Sequence, residues 1–146
     1  MPATRIGPPL RVMFVEPDMI LSEPAAMGVN EFFSHPTASG STPTQDLILI
    51  RATLLPGKGH DFHYHENREE FLYILSGTIE QWLGEEKRVC KAGDVIYVPP
   101  GVVHASFNIG EGNAQLLAIF NNKSDPAELA TDVSQLVPWK HIRMID

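Results

Sequence analysis

The stretch GHDFHYHENREEF, residues 59–71, crowds three histidines into the six positions from His60 to His65 and follows them with Glu66, Glu69 and Glu70. On a β-strand the side chains at i and i+2 share a face, so His63 and His65 point one way while Phe62 and Tyr64 point the other. His60 has the opposite parity and adjoins the Gly57–Gly59 turn. It is therefore read as a surface or loop histidine outside any site. After the loop, the strand EFLYIL begins with Glu70 in phase with Leu72 and Ile74, and Glu69 has the other parity. Only one of the two glutamates can line the histidine face. Further on, GDVIYVPPGVVHASFN (93–108) brings a proline-glycine turn and then His104 at the start of another strand, a third imidazole.

Working outward, short β-branched and aromatic runs alternate with Pro and Gly punctuation, which is the pattern of strands and turns. From 47 to 121 the runs are LILIRATLL, FHYH, EFLYIL, TIEQWL, DVIYV, HASFNI and AQLLAIF. Such spacing predicts an all-β barrel or sandwich. Residues 1–46 are proline-rich and polar and read as an N-terminal arm with one or two short strands around GVNEFF. Residues 122–146 read as a C-terminal extension whose helical signal lies in SDPAELATDV (124–133), with Pro126 suited to a first helical position. The whole chain of 146 residues is expected to form one domain.

The spacing of the two histidine clusters resembles the paired motifs of the cupin superfamily. Gly57, His63, His65, Glu70 and Gly77 fill the first motif, and Gly93, Pro99, Gly101, His104 and Asn108 fill the second, with 15 residues between. The resemblance implies a double-stranded β-helix, or jelly-roll, barrel. It also implies a metal site made by His63, His65, Glu70 and His104. Three imidazoles and a carboxylate suit one divalent transition metal, Fe, Mn, Ni, Cu, Co or Zn, and the ligand set alone does not name which. Small cupins of this kind are commonly homodimers, and the proline-rich arm is suited to packing across subunits.

Other positions follow from parity. If the strand after Gly77 points Ile79 inward, Gln81 follows it into the barrel and needs a partner there, either a ligand or a neighbouring strand. The alternative is an outward Gln81. Ser106 and Asn108 share the face of His104 and are candidates to touch substrate or steady an imidazole; a turn role suits Asn108 equally. An inward Arg51 would grip a substrate carboxylate, and an outward one would be a solvated or interface residue. Cys90, the only cysteine, reads as a small apolar strand residue.

Composition narrows the function. A formal charge of −7 and a pI near 5.3 remove the basic footprint that nucleic acid or an anionic membrane requires. LILI stops at Arg51, well short of the roughly 20 apolar residues of a membrane helix. No signal-peptide pattern follows the first residues, so a cytoplasmic location is expected. The resemblance implies a metal-dependent enzyme on a small organic substrate, first of all a dioxygenase, with Glu70 as a candidate base. The alternatives are a non-oxidative isomerase or lyase and a non-catalytic module that binds or senses a small ligand.

Overall fold

Alternation of buried and exposed side chains sets the strands, and it is clearest where the core is deepest. In Ile48–Leu54 the residues Ile48, Ile50, Ala52 and Leu54 are buried while their neighbours are half-exposed, the period of two that a pleated strand imposes. The computed structural model describes residues 14–34, 42–125 and 129–144. In chain order the strands are β1 (Leu21–Ala25), β2 (Gly28–Phe32), β3 (Ile48–Leu54), β4 (Gly59–Tyr64), β5 (Glu70–Ser76) and β6 (Thr78–Leu83). There follow β7 (Glu86–Lys91), β8 (Val95–Val98), β9 (His104–Asn108), β10 (Ala114–Phe120), β11 (Thr131–Asp132) and the helix α1 (Trp139–Ile142).

The strands form a six-stranded sheet, β1-β2-β3-β10-β5-β8, and a five-stranded sheet, β11-β4-β9-β6-β7. Every pairing is antiparallel. This is the all-β jelly roll expected from the sequence. The space between the sheets is filled at one end by aliphatic side chains, among them Ile48, Ile74 and Ile79 at 0% exposure. Each such burial stabilises the fold by roughly 1.5–3 kcal/mol. The other end of that space is left to polar groups.

Two glycines close the turns that deliver these strands. Gly77 joins β5 to β6 at φ +87°, and a Cβ there would stand 2.5 Å from that of Ala114. Gly101, at φ +79°, turns the chain before β9 and donates its N–H to the carbonyl of His65. An L side chain strains both backbones.

The outer face of the smaller sheet has its own apolar layer of Phe62, Trp82, Ala105, Phe107 and Val133, against which Trp139 and Ile142 pack. The C-terminal extension therefore covers a sheet. Its helix is α1, and not the stretch 124–133: Thr131 and Asp132 there extend the sheet beside Tyr64 and His63, while residues 126–128 lie outside the described residues. The apolar partner for a covering helix comes later, at Trp139. The arm supplies a hairpin, β1 and β2, whose second strand pairs with β3. In β7 every residue but Cys90 is exposed, so this edge strand has no alternation of buried and exposed positions to mark it in the sequence. No helix among the described residues is long and apolar enough to cross a membrane.

Candidate metal centre

His63 and His104 are directly paired across β4 and β9. His65 follows at the end of β4, and Glu70 opens β5 in the opposite sheet. The four side chains converge from both sheets into the polar end of the barrel, with exposures of 4%, 3%, 3% and 1% for His63, His65, Glu70 and His104. One potential ligand atom from each of the three histidines lies within 4.8 Å of the others. Among the described residues no other group of three ligand-type side chains comes together in this way.

The ring nitrogens bear on what this cluster could hold. Nδ1 of His63 meets the carbonyl of Asp61 at 2.6 Å, Nδ1 of His104 that of Val102 at 2.9 Å, and Nδ1 of His65 that of Leu129. A carbonyl only accepts, so each Nδ1 carries the proton and donates it, leaving the Nε2 lone pair free. Nε2 of His65 stands 3.2 Å and Nε2 of His104 3.3 Å from the two oxygens of Glu70. Yet both Nε2 atoms are buried without a hydrogen-bond partner. Buried acceptors left so are costly, and a cation shared with the carboxylate removes that cost. The residues thus fit a divalent transition metal, with backbone carbonyls orienting the imidazoles.

Electrostatics agree. Burial alone would raise the pKa of Glu70, but positive charge and donated protons from His104 and His65 would outweigh that and hold it below the ordinary carboxylate value; with both imidazole protons on Nδ1, a bound cation would supply that opposing charge instead. Burial, reinforced by His60 and His104, keeps His63 neutral far below the ordinary imidazole value. An ionised Glu70 and a neutral His63 are the protonation states that metal binding at these two residues needs.

Beside the four residues is a cavity of about 100 Å³, walled on its apolar side by Leu72, Leu116 and Phe120. Ser106 lines it, as the parity of β9 predicts. Gln81 is buried and inward, but it lies behind Ser106: its Oε1 accepts the serine hydroxyl at 2.6 Å and its Nε2 donates to the carbonyl of Trp82. The partner that its burial demands is therefore a neighbouring strand, and Gln81 does not line the metal cavity. It lines a separate cleft of about 440 Å³ between the edge strands β7 and β8, where no such histidine cluster exists among the described residues. Asn108 supports a turn: its amide donates to the carbonyls of Leu54 and Gly112, and its oxygen accepts the N–H of Gly110.

Arg51 corrects one expectation. It faces away from the cavity and forms a bidentate pair with Glu31 of the adjacent strand β2, at 2.9 and 2.7 Å. The parity that buries Ile50 and Ala52 excludes Arg51 from the interior. His60 corrects another. Its ring lines the cavity and stacks on that of His63, with centroids 3.7 Å apart and planes 19° from parallel. The reason is a β-bulge: His60 pairs with Ser106 and His63 with His104, so three steps along β4 match two along β9. Plain alternation misplaces His60 by that one extra residue. Asn30 of the arm also lines the cavity. Its only sequence signal is its place in GVNEFF, in phase with Phe32.

The chain matches the family described as Cupin domain over residues 50–120. It is 28% identical over 115 residues to Germin-like protein 1-2 of Oryza sativa subsp. japonica, an alignment covering 73% of this chain and 51% of that protein. The chain spans about half the length of the curated relatives it matches first. Among solved structures, KdgF from Halomonas sp. superimposes with a TM-score of 0.66 at 21% identity, covering 79% of this chain and 97% of that one. A predicted oxalate decarboxylase from Thermotoga maritima gives a TM-score of 0.62 at 24% identity, covering 75% and 99%. Both likenesses are of fold.

Proposed function

Residues 50–120 of this chain are a cupin domain, and from that premise we propose that it is a metal-dependent enzyme acting on a small organic substrate, first of all a dioxygenase. The observation that carries the reading is the pair of buried, unpartnered Nε2 atoms of His65 and His104 facing the Glu70 carboxylate. His63, His65, Glu70 and His104 would hold one divalent ion, which when bound supplies Lewis acidity and, for a redox-active metal, electron transfer with O₂. The chain's own contribution is to anchor three imidazoles through Nδ1, to exclude bulk water with the Leu72, Leu116 and Phe120 wall, and to keep Glu70 ionised as the proton acceptor. The cavity of about 100 Å³ is well below the roughly 300–1,000 Å³ of ordinary ligand pockets, so the substrate has few heavy atoms. The name of the Thermotoga maritima neighbour, a predicted oxalate decarboxylase, puts an acid of that size beside the same fold. It also supports the second reading, a non-oxidative lyase or isomerase at the same centre.

The test is elemental analysis of protein purified without chelator or affinity metal, alongside Glu70→Ala. Near-stoichiometric iron, manganese, nickel, copper or cobalt, reduced in the variant, supports the oxidative reading, and O₂ consumption then screens substrates. Zinc favours the non-oxidative one. No metal after anaerobic reconstitution replaces both with a non-catalytic ligand-binding module. A homodimer and a cytoplasmic location belong to the same proposal, and a monomer at every concentration in size exclusion overturns the dimer.

A further inference from the structure

We propose that His60 and Asn30 hold the outer end of the substrate, and that this end is an uncharged oxygen function, an alcohol or carbonyl, on a small acid with a single carboxylate. The inference rests on the reading of His63, His65, Glu70 and His104 as a metal centre, and it adds what the other end of the ligand meets.

The two residues reach the cavity from opposite sheets. The bulge in β4 turns His60 to the side of Ser106 and His104, where its ring stacks on His63. Unlike the four buried residues beneath it, His60 is exposed, so it stands at the solvent end of the cavity. Asn30 sits on β2 opposite Ala52, in phase with the buried Phe32. Both line the same cavity. No hydrogen bond from either side chain to a described residue is made, whereas Ser106, the other hydroxyl or amide group there, is already committed to Gln81. An imidazole and a primary amide each offer a donor and an acceptor. That combination matches a hydroxyl or carbonyl.

Size and charge set the rest of the ligand. About 100 Å³ leaves room for a molecule of few heavy atoms in a cavity lined both by the four candidate ligands and by His60 and Asn30. A divalent ion beside the Glu70 carboxylate leaves one positive charge, which one substrate carboxylate neutralises. No lysine or arginine lines the cavity, and Arg51 is turned outward to Glu31. A second carboxylate at the outer end would meet no cation in the cavity wall and, being an acceptor only, would leave the acceptor atoms of His60 and Asn30 unused, whereas a hydroxyl engages donor and acceptor alike.

Calorimetric titration of the full chain loaded with Mn(II) or Co(II) tests this with three acids that share one α-hydroxy-carboxylate head. They differ at the outer end: lactate has a methyl, glycerate a hydroxymethyl and malate a second carboxylate. Glycerate is expected to bind roughly tenfold more tightly than either of the others, the worth of one to two good hydrogen bonds. In His60→Ala and Asn30→Ala that advantage shrinks to about threefold or less with metal content unchanged, and His60→Gln, which keeps a donor and an acceptor, restores part of it. Malate binding tightest, an advantage that survives both alanine variants, or no binding of any of the three to the loaded protein overturns the proposal. So does metal content that falls in His60→Ala, which would make His60 part of the metal site itself. Failure of the underlying reading is distinct: the wild-type chain then takes up no metal before any acid is added.

Discussion

Each candidate ligand histidine has its Nδ1 committed to a carbonyl, so the free Nε2 atoms owe their direction to the backbone. His104→Ala removes one donor and leaves the other three side chains in place. It is expected to weaken metal binding by more than the roughly 10–100-fold that losing an outer hydrogen-bond partner costs, with circular dichroism unchanged. Metal titration of the purified variant checks it. Titration of the fold follows from the same residues. Burial depresses the pKa of His63 below its ordinary 6.5, so the unfolded chain binds the proton first as pH falls. The metal-free protein therefore loses stability on acidification below about pH 6.5. Glu70, whose pKa lies below its ordinary 4.5, also favours the fold above that value and less below it. Melting temperatures of metal-free protein from about pH 7 to 4 should fall steadily, and a flat profile contradicts this assignment.

Among the elements, β4 carries a bulge, the candidate ligand His63 and the anchor Phe62, and leads directly into His65. Phe62 is 1% exposed and meets Trp82 edge to face at 5.6 Å. Phe62→Ala should cost about 3–5 kcal/mol and, by loosening β4, weaken metal binding too; denaturant melts and metal titration on one preparation measure both. Legibility varied along the chain for physical reasons. His63, His65, Glu70 and His104 were readable because they lie at fixed spacings on strands with strong apolar alternation. His60 was misplaced because nothing in the residue types marks the extra residue at Asp61–Phe62. Arg51 was ambiguous because LILI is apolar at both parities, and only Ala52 and Leu54 beyond it, or Glu31 on the neighbouring strand, show which face is inside. The tail's partners were not legible, since Leu129 acts through a backbone carbonyl that any residue type offers.

Taken whole, the molecule is two sheets that the proposed ion would clamp at one end, and removing that ion should be felt throughout. At a free metal concentration 100 times Kd, binding contributes roughly 2.7 kcal/mol. Chelation should therefore lower the melting temperature by about 5–10 °C in a chain of this size, measured by calorimetry with and without metal. The outer face of the larger sheet presents Phe71, Tyr73, Val95 and Tyr97, all exposed and paired across β5 and β8. If the proposed homodimer forms there, Tyr73→Asp shifts it to monomer in size exclusion. Finally, the carbonyl that receives the His65 proton belongs to Leu129, which lies 64 positions later in the chain. It also follows His104, the last of the four candidate ligands, by 25 positions, so all four side chains are made before the carbonyl that fixes the His65 ring, and in the proposed centre His65 gains its final orientation only once the C-terminal tail has docked.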